Sequence, residues 1–149
     1  MNNPAHILLV EDNRMDIELT LDAFREVRLG NRVDVAANGQ EALDYLFGRG
    51  KYGDRTTYPL PNLVLLDLKL PGVDGFEVLR QIKATPILKR LPVVILTSSK
   101  EEGDRALSYD SGANSYLVKP VSFVGFLDVI QQIDGYWLSL NVAPPENSP

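Results

Sequence analysis

The chain has 149 residues, which suits one domain, and its 44% of apolar residues is a globular composition. It has no cysteine and one histidine, His6, which excludes disulfides, cysteine nucleophiles and thiolate zinc sites and nearly excludes a histidine-based site. The formal net charge of −5 gives no reason to expect nucleic-acid binding, and no apolar run approaches the roughly 20 residues of a membrane helix.

Short apolar runs alternate with helical patterns along the chain, and the runs predict five β-strands. The strands are expected at 6–10, 32–37, 62–66, 92–97 and 115–118. Helical periodicity is carried by Ile17, Leu21, Phe24 and Arg28, then by Ala42, Leu43, Leu46 and Phe47, then by Val78, Leu79 and Ile82. Strands that are each followed by a helix predict an α/β fold, with a doubly wound parallel sheet that has helices on both faces.

Local signals predict where some helices begin and end. Two capping boxes, Asp74-x-x-Glu77 and Ser99-x-x-Glu102, are typical of helix starts. Gly112 suits a helix end. The helical stretch between the second box and this glycine has little apolar surface, so we expect it to be loosely held.

The last predicted helix, at 123–140, carries two apolar stripes. The first stripe comprises Phe123, Phe126, Leu127, Ile130 and Trp137, and the second Val129, Ile133, Tyr136 and Leu140. A helix that packs on one side of a sheet needs only one such stripe. The segment that follows, 142–149, has the composition of a disordered tail.

A connection of 14 residues, 48–61, precedes the third strand and is longer than the usual 2–6 residues. It carries Arg49, Lys51 and Arg55 with two tyrosines. Two interpretations stay open: a solvated surface loop, or a contact for a partner protein.

Charged and hydroxyl residues follow the predicted strands, at the sheet edge where ligands of open parallel sheets bind. They are Glu11 and Asp12 after the first strand, Asp67 after the third, Thr97 and Ser98 at the end of the fourth, and Lys119 after the fifth. Carboxylates crowded together repel each other, and a divalent cation removes that penalty. An all-oxygen site of this kind suits Mg²⁺ or Mn²⁺.

The same residues could perform phosphoryl chemistry. A carboxylate can attack phosphorus and form an aspartyl phosphate, a reaction that needs charge neutralisation more than proton transfer. The metal ion and Lys119 would supply that neutralisation, and Thr97 could hydrogen-bond a phosphoryl oxygen.

Taken singly, each residue also has a purely structural interpretation. Glu11, Asp12 and Asn13 could cap the first helix, and Asp67 could precede a turn at Pro71 and Gly72. Lys119 could lie on the surface, and His6 is expected to be a satisfied residue at a strand start. Their common position at one sheet edge is what favours a site.

Four motifs in this order and spacing resemble the receiver domains of bacterial two-component response regulators: "ILLVEDN", "LVLLDLKLPGVDGFEVL", "PVVILTSS" and "GANSYLVKP". The resemblance covers about residues 5–135. It implies a flavodoxin-like sheet with strand order 2-1-3-4-5, in one receiver domain over 1–141. It also implies a signalling phosphoacceptor rather than an enzyme, which contributes to its own phosphorylation and dephosphorylation.

The resemblance also assigns roles to residues. Asp67 is implied to be the phosphoacceptor, and Lys119 to pair with the phosphoryl group. The implied Mg²⁺ ligands are Glu11, Asp12, Asp67 and the main-chain carbonyl of Lys69. Thr97 and Tyr116 are implied to be the switch residues, the side chains of Lys69 and Ser99 to tune the phosphoryl lifetime, and the Lys119–Pro120 bond to be cis.

Finer details resemble the phytochrome-associated response regulators. These are the long 48–61 loop, "ILKRLPVVILTSS" and the "YW" near the end of the last helix. This likeness implies phosphorylation by a light-sensing histidine kinase, a bacterial phytochrome. It also implies a homodimer through the 123–140 helix, which the second apolar stripe independently favours. The absence of cysteine fits a cytoplasmic protein.

Two other functions use similar residues. A phosphatase of the haloacid dehalogenase type needs a second aspartate two residues after the nucleophile, where this chain has Lys69. A pseudo-receiver that only binds partners is expected to lack one of the acids, the threonine or the lysine, and all are present here.

Overall fold

A sheet of parallel strands forms the centre of the molecule. The structure is a computed structural model that describes residues 5–27, 31–140, 142 and 145. Within these residues the strands are β1 (His6–Val10), β2 (Arg32–Ala36), β3 (Leu63–Leu66), β4 (Val93–Thr97) and β5 (Ser115–Val118). Every neighbouring pair is parallel and the order is β2-β1-β3-β4-β5. The predicted fold and strand order are therefore confirmed.

Helices cover both faces of the sheet. They are α1 (Arg14–Val27), α2 (Gly39–Phe47), α3 (Gly75–Ala84), α4 (Glu102–Asp110) and α5 (Phe123–Gly135), which a π-helical turn, Tyr136–Leu140, continues. Residues of β1 alternate between the two faces, with Leu8 and Val10 in a core beside α2 and α3, and Ile7 and Leu9 in a core beside α1 and α5. None of the helices in the described part of the chain combines the length and apolarity needed to cross a membrane.

Of the two predicted capping boxes, the structure shows the N-cap half of the first, while the Glu77 carboxylate accepts from Arg80 and Gln81. The Asp74 side chain accepts a hydrogen bond from the Glu77 amide at 3.0 Å, which confirms the start of α3. The box at Ser99 was wrong, because α4 begins at Glu102 and no side chain within the described residues caps it. The Ser99 hydroxyl accepts a hydrogen bond from the Glu101 amide at 3.3 Å, before the helix begins, and donates a charge-assisted one to the Asp104 carboxylate at 2.7 Å.

Helix α4 has little anchorage in the core. Among its nine residues, all of them described, only Ser108 is buried. Leu107 and Tyr109 are exposed. Gly112, with φ +104°, follows shortly after the end of the helix, as expected. The loose attachment of α4 remains a prediction, and the shortage of buried side chains supports it.

In the last helix, one residue of the second predicted stripe, Ile133, belongs with the first stripe. Phe126 and Ile130 are buried as predicted, but Ile133 is also buried in the same core, at 2% exposure. The three residues have i, i+4, i+7 spacing and so share one face. Tyr136 is 52% exposed. The side chains of Arg28 and Leu140 lie outside the described residues, as does most of the 142–149 segment.

The long connection is packed against α2 rather than wholly solvated. It contains a short 3₁₀ helix, Gly50–Gly53, in which Tyr52 is buried. The Arg55 guanidinium donates to the main-chain carbonyls of Tyr45, Leu46 and Tyr58 at 2.7–3.2 Å. Two of these carbonyls, those of Tyr45 and Leu46, lie in the last turn of α2, so Arg55 anchors the connection to the end of that helix. Its use as a partner contact stays a prediction.

His6 at the start of β1 is only partly satisfied. Its Nε2 lies 3.1 Å from Asp34 Oδ2 and 3.2 Å from the Tyr45 hydroxyl. The Tyr45 hydroxyl also lies 2.6 Å from Asp34 Oδ2. The buried His6 Nδ1 has no hydrogen-bond partner among the described residues.

Candidate functional site

The strand ends bring Glu11 and Asp67 together. The Glu11 amide donates to the Ala36 carbonyl, and the Asp67 amide to the Val10 carbonyl, each at 3.0 Å. Both bonds continue the sheet ladders by one residue beyond the ends of β1 and β3. The two carboxylates therefore leave neighbouring strands at the same edge of the sheet, as predicted.

A close backbone contact fixes the segment after Asp67. The Gly75 amide, at the start of α3, donates to the Leu68 carbonyl at 3.0 Å. A side chain at Gly75 would collide with the main-chain carbonyl of Asp67. Glycine is therefore required for α3 to begin this close to the strand end.

Glu11, Asp12 and Asp67 form a group that could hold a metal ion. Each offers one oxygen, and these oxygens lie within 4.8 Å of one another. Glu11 and Asp67 are buried, at 2% and 5% exposure, while Asp12 is exposed. Two desolvated carboxylates beside one open to water fit an ion such as Mg²⁺, which takes hard oxygen ligands and keeps several waters.

Lys119 lies among the carboxylates. Its ammonium is 3.0 Å from Asp67 Oδ2 and 2.9 Å from Asp16 Oδ2, and it also pairs with Glu11. The Lys119 side chain is only 7% exposed, so a surface role is wrong. No peptide bond in the described residues is cis, so the expected cis bond before Pro120 was also wrong. The trans form is the favoured isomer of a prolyl bond by about 0.5–1 kcal/mol.

The crowding changes two ionisation equilibria. Burial raises the pKa of Glu11 to about 7, the negative charge of Asp67 adds to this, and the hydrogen bond from Lys119 opposes it. Burial alone would lower the pKa of Lys119. Hydrogen bonds to Glu11 and Asp16 outweigh that effect and raise this pKa above its ordinary value.

The two expected switch residues, Thr97 and Tyr116, meet at Ser99. Thr97 ends β4, is fully buried and accepts a long hydrogen bond, 3.4 Å, from the Ser99 amide. The half-buried Tyr116 side chain packs against the core on the α2 and α3 face, and its hydroxyl donates to the Ser99 carbonyl at 3.0 Å.

Asp104 connects the two residues expected to tune the phosphoryl lifetime. Its Oδ2 accepts a hydrogen bond from the Ser99 hydroxyl at 2.7 Å and lies 3.5 Å from the Lys69 ammonium. Sequence reasoning missed Asp104 and Asp16. No sequence signal marks either residue, because only the fold brings Asp16 to Lys119 and Asp104 to Lys69.

Comparison with known proteins identifies the architecture. Residues 7–131 match the family model described as response regulator receiver domain. The chain belongs to this family. It is 43% identical over 142 residues to the probable methanogenesis regulatory protein FilR2 of Methanothrix harundinacea, an alignment that covers 95% of this chain and 89% of FilR2. To response regulator Rcp1 of Synechocystis sp. it is 38% identical over 143 residues, covering 96% of this chain and 95% of Rcp1.

Two solved structures are similar over nearly the whole chain. One is the phosphorylated cyanobacterial phytochrome response regulator RcpA, with a TM-score of 0.89 and 39% identity, covering 95% of this chain and 99% of RcpA. The other is the Mn²⁺-bound form of Rcp1, with a TM-score of 0.85 and 38% identity, covering 95% of this chain and 100% of Rcp1. Receiver domains bind Mg²⁺ or Mn²⁺, and the carboxylates of this chain fit such an ion.

Proposed function

We propose that this receiver protein accepts a phosphoryl group from a histidine kinase on Asp67 and changes its partner contacts in response. The observation that carries the proposal is the position of the Lys119 ammonium, 3.0 Å from Asp67 Oδ2 and beside the carboxylates that could hold a metal ion. A buried aspartate flanked by fixed positive charge suits a transfer that depends on charge neutralisation.

In the proposed transfer, Asp67 attacks the phosphorus of a phosphohistidine on the kinase. The P–O bond to Asp67 forms as the P–N bond breaks, and the imidazole nitrogen keeps the bonding electron pair. A bound Mg²⁺ or Mn²⁺ would neutralise charge on the phosphoryl oxygens, held by Glu11, Asp12, Asp67 and the Lys69 carbonyl. Lys119 supplies a further positive charge from the protein itself.

The proposed response begins at Thr97. The Thr97 hydroxyl accepts a long hydrogen bond of 3.4 Å from the Ser99 amide. Because this bond is weak, the hydroxyl is able to turn toward a phosphoryl oxygen. Because the Tyr116 hydroxyl is bonded to the Ser99 carbonyl, a movement of this loop also moves Tyr116. Helix α4 has one buried residue, so few core contacts hold it in place. The equilibrium between its conformations then shifts in response to the phosphoryl group.

Loss of the phosphoryl group completes the proposed cycle. Water attacks the phosphorus, the P–O bond to Asp67 breaks and the carboxylate is restored. The side chains of Lys69 and Ser99, linked through Asp104, tune the access of that water and hence the lifetime. The protein thus takes part in its own phosphorylation and dephosphorylation but turns over no other substrate.

The proposed kinase is a bacterial phytochrome in the cytoplasm. This rests on the similarity to RcpA, which is a phytochrome response regulator. We take residues 1–141 as the receiver domain and 142–149 as a disordered tail. We also propose a homodimer through the 123–140 helix, supported by the exposed Tyr136 ring on the turn after α5.

Phosphoryl uptake tests the proposal. The protein is incubated with acetyl phosphate and Mg²⁺, and its intact mass is measured. We expect a gain of one phosphoryl group, and no gain when EDTA is present from the start. No gain under any divalent cation would contradict the proposal, as would equal gain with and without EDTA.

A further inference from the structure

Asp16 is a carboxylate at the site that does not belong to the metal-binding group of Glu11, Asp12 and Asp67. It lies in the first turn of α1, where its amide donates to the Asn13 side chain at 2.9 Å. Its Oδ2 accepts a hydrogen bond from the Lys119 ammonium at 2.9 Å, and its side chain is 25% exposed. Helix α1 therefore holds a fixed negative charge against Lys119.

The donors of Lys119 are fully used. An ammonium has three N–H groups. Three carboxylates surround this one: Glu11, Asp16 and Asp67. Two of the three are also members of the group that could hold a metal ion. The ammonium is thus shared between the metal-binding carboxylates and a residue outside them.

We infer that Asp16 is a positioning residue that holds the Lys119 ammonium partly away from Glu11 and Asp67. This deepens the proposed function and rests on it. Without the charge of Asp16, the ammonium pairs only with Glu11 and Asp67 and competes with a divalent cation for both. With that charge, Lys119 stays beside Asp67 while oxygens of both carboxylates remain available to the cation.

Asp16 also has a simpler structural role at the start of α1, which is distinct from the positioning of Lys119. An acidic side chain in the first turn interacts favourably with the helix dipole. Loss of that interaction lowers the stability of the fold. It does not change the affinity of the folded protein for a divalent cation, and its effect does not depend on Lys119.

The test is calorimetric titration of the unphosphorylated full chain with Mg²⁺. We expect Asp16→Asn to weaken Mg²⁺ affinity by about threefold to tenfold, and Asp16→Glu, which keeps the charge, to stay within about twofold of the parent. The matched control is Asp22→Asn, which removes the same charge from the same helix, at an exposed residue that pairs with Arg25. It is expected to change the affinity less than about twofold.

A double-mutant cycle with Lys119→Met decides whether the effect passes through Lys119. In that background, Asp16→Asn is expected to change Mg²⁺ affinity by less than about twofold. The nitrogen-15 NMR signal of the Lys119 ammonium should also shift in Asp16→Asn and stay in place in Asp22→Asn. Unchanged affinity in Asp16→Asn, or an equal loss with and without Lys119, would overturn the inference. Phosphoryl uptake by the parent protein tests the proposed function separately, so the two failures are distinguishable.

Discussion

The Asp104 carboxylate accepts a hydrogen bond from the Ser99 hydroxyl at 2.7 Å and so ties helix α4 to the loop after β4. The Lys69 ammonium, on the other side, lies 3.5 Å from the same oxygen. Ser99, Asp104 and Lys69 therefore form one chain of side-chain contacts. They connect the element expected to move with the segment that carries Asp67.

Replacement of Asp104 tests this connection. Asp104→Ala leaves the Ser99 hydroxyl and the Lys69 ammonium without this partner, and a charge-assisted hydrogen bond contributes about 1.5–3 kcal/mol. We expect the amides of α4 to exchange hydrogen about tenfold faster or more, measured by mass spectrometry of the unphosphorylated protein. The control is Glu102→Ala, which removes an exposed acid from the first turn of the same helix. Equal protection of α4 in both variants would argue against the connection.

Loss of one carboxylate should weaken the metal site. Asp12 is the exposed member of the group, so Asp12→Asn is expected to leave the fold intact. Mg²⁺ affinity should fall by about tenfold or more, in titration calorimetry. Glu18→Gln, an exposed acid on α1, serves as the control. If Asp12→Asn bound Mg²⁺ as tightly as Glu18→Gln, the metal ion would have to bind at another site.

The Asp34 cluster predicts a dependence of stability on pH. Burial would raise the pKa of Asp34, but hydrogen bonds from Tyr45, Arg32 and His6 outweigh it and lower the pKa below its ordinary value. A carboxyl group with a lowered pKa stabilises the fold above its unfolded-state pKa, and this contribution disappears as the pH falls through the folded-state value.

We therefore expect Asp34→Asn to lower the free energy of unfolding at pH 7 by about 1–3 kcal/mol. The deficit should shrink as the pH falls below about 4. Urea unfolding at several pH values measures it. The control is Asp22→Asn, which removes an exposed carboxylate outside this cluster, and its deficit should stay small at every pH. A constant deficit for Asp34→Asn would contradict the assignment.

The proposed dimer makes a prediction about Tyr136. This half-exposed ring stacks edge-on against Trp137, with ring centroids 5.2 Å apart, beyond the end of α5. Tyr136→Lys should convert a dimer into a monomer in light scattering, because it places a charge in an apolar contact. Leu107→Lys, on exposed α4, should leave the dimer intact. A monomeric Leu107→Lys protein together with a dimeric Tyr136→Lys protein would place the interface on α4. A parent protein that is monomeric at high concentration would exclude the dimer.

Much of the fold was readable because its signals are local. The strands that alternate with helices predicted the parallel sheet, and Asp74 predicted the start of α3. The residues at the strand ends converge because parallel strands place their carboxyl ends at one edge. Glu11, Asp67 and Lys119 were found in this way.

The errors and omissions have physical causes. Ser99 was misassigned as a helix cap because α4 begins three residues later, at Glu102, and the Ser99 hydroxyl accepts from the Glu101 amide before the helix starts. Ile133 was placed on the wrong stripe because the helix pattern does not show that α1 also packs against α5. Asp16 was missed because its partner, Lys119, is 103 residues away in the chain.

The most direct test of the central claim is the intact mass of Asp67→Asn after incubation with acetyl phosphate and Mg²⁺. Asparagine keeps the size of the side chain but is not a carboxylate nucleophile. We expect the parent protein to gain one phosphoryl group and Asp67→Asn, folded and otherwise identical, to gain none. Equal phosphoryl uptake by the variant would show that Asp67 is not the phosphoacceptor.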